Sequence, residues 1–320
     1  MTDLKIKLHL SAELKFNWSI SVSIGFSMNS FNIRDIENLT GIKAHTLRIW
    51  EKRYGNIMPP TSPGKHRLYD NNDLKHILRI SSLYHNGVKI SHIANMSAEE
   101  IAISTVSMDG KTNFEVFITR LIEFSVDMNE SAFKKLFAEL KEMMGEENIY
   151  LYVIFPFLSR IGNLWLNGRV APIQEHFCSN LIRSELLMSI DQTPRLDKNT
   201  PVKNKVVLFT PENEFHELPL LFFNLMFRKM KIQSIYLGTN VNKSIVEEVA
   251  RKSDASILFT YLITNFSDLA SQQIVEEYKN LFSDKRLIFA GPGFRNANCE
   301  GNAVHISRNT ESLIDYLKTI

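Results

Sequence analysis

Ile33-Arg34-Asp35-Ile36-Glu37-Asn38-Leu39-Thr40-Gly41-Ile42 is followed, after Lys43-Ala44, by His45-Thr46-Leu47-Arg48-Ile49-Trp50-Glu51-Lys52-Arg53-Tyr54. The stretch closes further on with Pro63-Gly64-Lys65-His66-Arg67-Leu68-Tyr69. Ile33, Ile36 and Leu39 recur at helical spacing, and Thr40-Gly41 breaks that helix. Leu47 and Trp50 then mark a second short amphipathic helix beyond a tight turn. This is helix-turn-helix geometry, in which the second helix enters the major groove of DNA. Its exposed face carries His45, Arg48, Lys52 and Arg53.

The Pro-rich connection that follows ends in Gly64-Lys65-His66-Arg67, which suits a β-turn wing carrying positive charge to phosphates. At these residues the chain closely resembles the MerR family of winged-helix transcription regulators. The T-L-R-x-W-E-x-R-Y run and the G-x-H-R-x-Y wing carry the resemblance, which covers about Phe31 to Asn95. It implies DNA contacts from Thr46, Tyr54, Lys65, His66, Arg67 and Tyr69 beside the four residues of the helix face. The competing interpretation is a basic amphipathic helix on a solvated surface.

With 320 residues the chain has room for two or three domains. Its 44% hydrophobic content fits well-cored soluble domains. A net charge of only +2 means that nucleic-acid binding rests on the local patch and not on the whole-chain balance. Cys178 and Cys299 lie far apart and form no metal motif, which points to a reducing cytoplasm without a disulfide framework. The longest apolar candidate for a membrane span, 149–166, is interrupted by Pro156, Arg160 and Asn163. Residues 1–27 lack an uninterrupted apolar core with a cleavage site, and are read as a weak tail, with the fold starting near Met28.

Beyond the wing, Asp70 to Asn86 reads as a helix burying Leu74, Ile77, Leu78, Ile80 and Leu83. Gly87 stops it, and residues 88–93 form another short helix, completing a DNA-binding domain over 28–103. Ser104 to Asn113 loses apolar periodicity and is expected to be a linker. Helical patterns at Phe114–Asp127, Glu130–Met144, Glu147–Leu166 and Pro172–Ser189 then predict a four-helix bundle within 111–193. A second linker, Asp191 to Asn204, carries Pro194 and Pro201. From Lys205 strands alternate with helices. Strands are expected at Val206–Phe209, Ile232–Leu237, Ala255–Tyr261, Leu287–Ala290 and Ala303–Ile306. The intervening helices are Glu217–Lys229, Lys243–Lys252, Leu269–Phe282 and Thr310–Lys318. The fold class is multi-domain α and α/β: a winged helix-turn-helix, a helical bundle, and a flavodoxin-like doubly wound parallel sheet over 203–320. Ligands of such sheets sit at the carboxyl ends of the strands.

The loop after the first strand reads Pro211-Glu212-Asn213-Glu214-Phe215-His216-Glu217-Leu218-Pro219. An imidazole and a carboxylate two residues apart at a strand's carboxyl end can bind a metal, the acid holding the ring's tautomer. Gly238-Thr239-Asn240 is read as the second loop and Ala290-Gly291-Pro292-Gly293 as the fourth, where glycine lets backbone approach a bulky ligand. This half resembles cobalamin-binding domains of the methionine-synthase type. The resemblance implies His216 as the axial cobalt ligand and Glu214 as its hydrogen-bonded partner, with Gly238 and Thr239 nearby. It places Gly291 and Gly293 along the cofactor's nucleotide tail. Pro219 stands at that family's glycine position, and Ala290 where a first glycine is common.

In the bundle, Trp165 is followed by Gly168 and then by adjacent Glu175 and His176. Taken singly, Trp165 reads as a core aromatic and His176 as an ordinary bundle histidine. Their spacing resembles the helical cap of light-sensing, cobalamin-dependent MerR-type regulators of carotenoid genes. That resemblance implies that Trp165 and Glu175 cover the adenosyl face of the cofactor, with His176 an alternative upper cobalt ligand. Glu99-Glu100 and Glu146-Glu147 look like helix-starting acids, and His85 and His92 have no metal-ligand spacing.

The function expected is a non-enzymatic, cytoplasmic transcription regulator governed by adenosylcobalamin, with no membrane association. It would bind double-stranded operator DNA as a homo-oligomer, dimer or tetramer, and meet RNA polymerase only indirectly at the promoter. A response to light and a response to cobalamin level fit the residues equally. Two alternatives stand beside this: a corrinoid methyltransferase component, and a regulator that has lost the cofactor and uses its C-terminal half for protein–protein contact.

Overall fold

The computed structural model describes residues 30–55, 57, 68–107, 114–166, 172–194, 204–263, 268–299 and 304–320. The expected tail at 1–27, the wing residues Lys65, His66 and Arg67, and the Gly168 position lie outside them.

The decisive stretch folds as its spacing predicts. Helix α1 (Ile33–Thr40) starts at Asn32, whose side chain accepts from Arg34 N–H and Asp35 N–H while Asp35 accepts from Asn32 N–H. This capping box satisfies donors that the first turn leaves without helical partners. Gly41 ends α1 at φ 71°, in the left-handed region where a side chain is disfavoured. Helix α2 (Ala44–Tyr54) follows at once, burying Leu47 and Trp50 against Ile36 and Leu39. Phe31 and Tyr69 exchange backbone hydrogen bonds of 2.8 Å each way, closing the far end of the wing segment onto the entry to α1. Helix α3 (Asn71–His85) carries a second capping box, Asp70 with Asp73. His85 Nε2 lies 2.7 Å from the Thr40 carbonyl, so this histidine bolts α3 to the end of α1.

Two short helices, α4 (Ile90–Ile93) and α5 (Ala98–Ser107), complete the unit. The expected linker from Ser104 begins too early, because α5 runs on through Ser107. Thr105 Oγ1 donates to the Ile101 carbonyl 2.8 Å away. Its hydroxyl thus bonds within the helix, so a polar residue there does not break it.

The bundle is built from α6 (Glu115–Val126), α7 (Glu130–Met144), α8 (Glu146–Ile149) continuing into α9 (Phe155–Leu166), and α10 (Pro172–Gln192). Between α8 and α9 the segment Tyr150–Ile154 is a π turn, with Phe155 N–H donating to the Tyr150 carbonyl. That wider turn immediately precedes Pro156, which has no N–H to offer the carbonyl one turn back. Glu99 with Glu100, and Glu146 with Glu147, sit in the first turns of α5 and α8, as the helix dipole favours.

The C-terminal half is a five-stranded sheet in the order β2-β1-β3-β4-β5, every neighbouring pair parallel. The strands are β1 (Lys205–Pro211), β2 (Gln233–Val241), β3 (Ile257–Tyr261), β4 (Arg286–Ala290) and β5 (Val304–Ser307). Helices α11 (Leu218–Lys229), α12 (Lys243–Lys252), α13 (Asp268–Leu281) and α14 (Thr310–Leu317) alternate with them. Val206, Leu208, Phe259 and Ile288 pack toward α11 and α14. Val207, Leu258, Leu287 and Phe289 face the opposite way, toward α12 and α13. Strands covered on both sides need apolar residues at every position, which explains their unbroken hydrophobic runs.

The bundle lies on α11. Phe222 meets Tyr150 and Phe155, both at 5.2 Å between ring centroids. The helix-turn-helix unit in turn docks on the bundle through ion pairs. Arg79 makes a two-pronged bond to Glu123 (2.8 and 3.1 Å), and Lys75 reaches Asp127 at 2.5 Å. Arg160 of α9 binds Glu115 and also donates to the Leu39 carbonyl at 3.1 Å. No helix among the described residues is long and apolar enough to cross a membrane.

Candidate functional sites

On α2, His45, Arg48, Lys52 and Arg53 are exposed on one face, as predicted. Thr46 and Tyr54 are half-buried beside them, and the Arg53 guanidinium lies 5.4 Å from the Tyr54 ring centre. Ile49, missing from the sequence-derived site, is 57% exposed in the middle of this cationic face. An apolar side chain there can meet a thymine methyl group; the lone exposed Ile between Arg48 and Lys52 was the available signal. Tyr69 does not join the face. It is only 2% exposed and packs in the core beside Phe31, because backbone pairing with Phe31 turns its ring inward.

The second site lies where the strand order reverses. In the order 2-1-3-4-5, the connections leaving β1 and β3 run to opposite sides, which opens a crevice at their carboxyl ends. Residues 211–216 leave β1 and are locked in place. Thr210 Oγ1 donates to the Glu214 carbonyl (2.6 Å), which also accepts from Asn240 N–H (3.0 Å). Asn240 Oδ1 accepts from Asn213 N–H (2.9 Å), and Asn213 adopts φ 68°. Gly238 and Thr239 thus lie within the long edge strand β2 and not in a loop. Gly238, at φ 85°, sits at an irregularity of the β1–β2 register, and the strand continues to Val241. Asn240 is the polar contributor from this segment.

Glu214 is 1% exposed and gathers three N–H donors. Its Oε1 accepts from His216 N–H (2.9 Å) and from His216 Nδ1 (2.5 Å); its Oε2 accepts from Ile263 N–H (2.8 Å), just past β3. A carboxylate only accepts, so Nδ1 must carry the proton, and in the neutral ring Nε2 holds the lone pair. The hydrogen bond that His216 donates to Glu214 raises the His216 pKa, burial opposes that, and the charges of Glu214 and Glu175 add to it. About half of the His216 side chain (49%) faces solvent. Phe215 beside it is 66% exposed.

Helix α10 packs against α11, the helix that follows this loop. Glu175 pairs with His176 Nδ1 at 3.0 Å and accepts from Ser179 Oγ at 2.7 Å, and the His176 side chain is 66% exposed. Trp165 belongs to the last turn of α9 by its backbone; its side chain lies outside the described residues. Arg183 of α10 holds Glu217 at 2.6 Å, and Tyr236 donates to the same carboxylate at 3.0 Å. This Arg183–Glu217–Tyr236 group, not anticipated from sequence, ties the bundle to the residue next to His216. Glu217 stood beside His216 in the sequence, but its partners come from distant elements.

Pro219 enters α11 in its first turn, where a missing N–H costs nothing, so the helix forms despite the departure from glycine. The glycines of the fourth loop are closely approached by the end of β3. A Cβ on Gly291 would stand 2.5 Å from the Leu262 carbonyl oxygen and 2.8 Å from the Tyr261 ring. One on Gly293 would stand 2.5 Å from Leu262 Cγ. The room made by both glycines is filled by the chain's own β3 exit. The donor set at His216, an imidazole whose Nδ1 is held by a buried carboxylate, fits a metal ligand.

Residues 31–100 match the family model for the MerR HTH family regulatory protein, and residues 117–186 match the B12 binding domain. The chain is 24% identical to the HTH-type transcriptional repressor CarH of Myxococcus xanthus over 219 residues, which is 66% of this chain and 72% of that protein. It is 24% identical to the HTH-type transcriptional repressor CarA of the same organism over 214 residues, covering 66% of this chain and 69% of that one. The HTH-type transcriptional regulator MlrA of Escherichia coli (strain K12) is 33% identical, over 23% of this chain and 30% of its own length. Among solved structures, the Methanosarcina barkeri monomethylamine corrinoid protein superposes with a TM-score of 0.47 at 15% identity, covering 62% of this chain and 95% of that one. This chain thus carries a MerR-type helix-turn-helix domain followed by a B12 binding domain.

Proposed function

We propose that this chain is a MerR-type transcription regulator whose hold on operator DNA is set by a corrinoid seated between the helical bundle and the parallel sheet. The observation that carries the reading is the His216–Glu214–Ile263 clamp. It engages His216 through Nδ1 and leaves Nε2 outside the clamp, at the switch point of the sheet. Cobalamin, when bound, would supply a cobalt centre whose upper carbon–cobalt bond is broken by light.

His216 would hold the cobalt from the sheet side, and Glu214 would fix its ring. Glu175, His176 and Trp165 would stand over the opposite face. Exposed Phe215 offers an apolar edge to a flat macrocycle. On the DNA side, His45, Arg48, Lys52 and Arg53 would enter the major groove, and Lys65, His66 and Arg67 would meet phosphates. One such unit reads few base pairs, so a dimer or tetramer on repeated sites would provide specificity, with RNA polymerase affected only through promoter occupancy. The direct contact of Arg160 on α9 with both Glu115 of α6 and the Leu39 carbonyl offers a short route from the bundle to the helix-turn-helix turn.

The test is a visible spectrum of the purified chain after dark incubation with adenosylcobalamin and removal of excess, repeated after illumination. Oligomer size and binding to duplexes selected from a random library would be followed in parallel. A retained corrin spectrum that is altered in His216→Ala supports the reading, and light-dependent changes in size and DNA binding support the adenosyl, light-responsive form. Pro219 and Ala290, which depart from the glycines of cobalamin-binding domains, motivate a second reading, a regulator that has given up the cofactor. That one is preferred if no corrinoid is retained and substitutions at Glu175, His176, Glu214 and His216 leave DNA binding unchanged.

A further inference from the structure

An α-helix leaves its last four carbonyls without donors of its own, and at the end of α6 each of them has found one. The Glu123 carbonyl accepts from Asp127 N–H (3.1 Å), that of Phe124 from Asn129 N–H (2.8 Å) and that of Ser125 from Met128 N–H (3.2 Å). The chain turns this tightly by setting Met128 at φ 51°, a left-handed conformation that costs energy for a residue with a side chain. The Val126 carbonyl takes its donor from another helix. Gln174 Nε2, in the first turn of α10, lies 3.0 Å away. Gln174 is 6% exposed and directly precedes Glu175 and His176.

The same turn of α6 also holds the helix-turn-helix unit. Glu123 and Asp127, four residues apart, meet Arg79 and Lys75, four apart on α3. Farther along α3, Tyr84 packs edge-on against Trp50 of α2 with ring centroids 4.8 Å apart. Ser81 Oγ donates to the Thr40 carbonyl (3.3 Å), the group that His85 also meets. Helix α3 thus reaches both the recognition helix and the turn in front of it. Nearness alone does not couple two sites; that takes an element with two arrangements. The corner Val126–Asn129 has the makings of one, because its closed form joins a strained Met128 to a buried carbonyl whose donor sits on α10.

Resting on the corrinoid reading above, in which Glu175 and His176 face the ligand, we propose that this corner couples the ligand site to DNA within one chain, with Gln174 reporting the position of α10. A ligand that engages Glu175 and His176 fixes the first turn of α10 and with it the Gln174–Val126 bond. When that turn is drawn away the donor leaves, Met128 relaxes, and Asp127 swings off Lys75. The helix-turn-helix unit then changes its set on the bundle, beside any change of assembly.

The experiment measures the affinity of the full-length chain for a duplex selected from a random library, in the dark, with and without adenosylcobalamin. The ratio of the two affinities is the coupling, so a change in absolute DNA affinity drops out. Gln174→Met keeps the length of the side chain and removes its donor. A wild-type ratio of about fivefold or more is expected to fall within about twofold of unity in Gln174→Met and in Lys75→Met. The corrin spectrum, its dependence on His216 and the oligomer size in sedimentation should stay as in the wild type. Lys134→Met, which removes an exposed pair with Glu130 on α7, should leave the ratio unchanged. Should Gln174→Met not fold, Lys75→Met decides alone. Ratios unchanged in the variants, or lost only together with a shift in oligomer size, overturn the inference and leave the corrinoid reading standing. A wild-type ratio of unity with the corrin spectrum retained overturns it too. No corrinoid retained by the wild type overturns the corrinoid reading, and this inference with it.

Discussion

Replacing Glu214 by glutamine probes the centre of the proposed site with the smallest change of shape. The carboxylate receives His216 N–H and His216 Nδ1 on one oxygen and Ile263 N–H on the other, in a group only 1% exposed. Glutamine offers one oxygen and one NH2. With its oxygen toward His216, the NH2 faces Ile263 N–H. With its oxygen toward Ile263, the NH2 faces the His216 backbone donor. Either orientation sets donor against donor in a buried place. One lost charge-assisted bond plus one stranded donor costs about 2–4 kcal/mol.

The second orientation has a chemical consequence too. The ring could accept from the new NH2 only by moving its proton from Nδ1 to Nε2, which removes the lone pair offered to a metal. Loss of such an orienting partner typically weakens metal binding about 10–100-fold. Denaturant unfolding of the ligand-free chain measures the first effect, and dark absorbance titration with a corrinoid measures the second. Stability within about 0.5 kcal/mol of wild type, the background for neutral surface changes, together with unchanged affinity, would refute the clamp.

Arg79→Ala leaves Glu123, 8% exposed, without its two-pronged partner at the face between the helix-turn-helix unit and the bundle. The pair lies between an exposed and a buried ion pair, so about 1–3 kcal/mol should be lost in unfolding, and a double-mutant cycle with Glu123→Ala should recover part of it as coupling. Gly291→Ala sets a Cβ 2.5 Å from a backbone oxygen at φ 102°. Strain and overpacking together should cost about 2–5 kcal/mol, and a melting temperature unchanged from wild type would contradict the close packing described. His76 on α3 has its pKa lowered below 6.5, chiefly by burial and then by Arg79. A histidine that resists protonation when folded gives full stability above its unfolded pKa and loses it as pH falls through that value. His76→Gln should therefore flatten part of the decline in melting temperature between about pH 7 and 5, whereas an unchanged profile would show that His76 is not desolvated. Cys178, buried and with its thiol pKa pushed up to about 12, should resist alkylation in the folded chain, as mass spectrometry of iodoacetamide-treated protein would report.

The sequence by itself determined the elements and the local chemistry. Capping residues, Gly41 and the Leu47–Trp50 spacing are short-range signals, so the helix-turn-helix was legible without coordinates. Period changes at Lys205 marked the parallel sheet for the same reason, and the placement of Glu214 two residues before His216 fixed their partnership within a single turn. Tertiary structure decided what depends on pairing across distance. Tyr69 reads as part of a DNA-contacting motif, yet pairing with Phe31 buries it. Gly238 reads as a loop residue, yet the long edge strand absorbs it. The third hydrogen bond to Glu214 comes from Ile263, and Arg183 and Tyr236 converge on Glu217, contacts set by the strand order and by docking of the bundle on α11. Glycines at 291 and 293 read as places where something approaches the backbone closely. A missing side chain signals only that something comes close, and the tertiary structure brings Tyr261 and Leu262 there from a neighbouring strand.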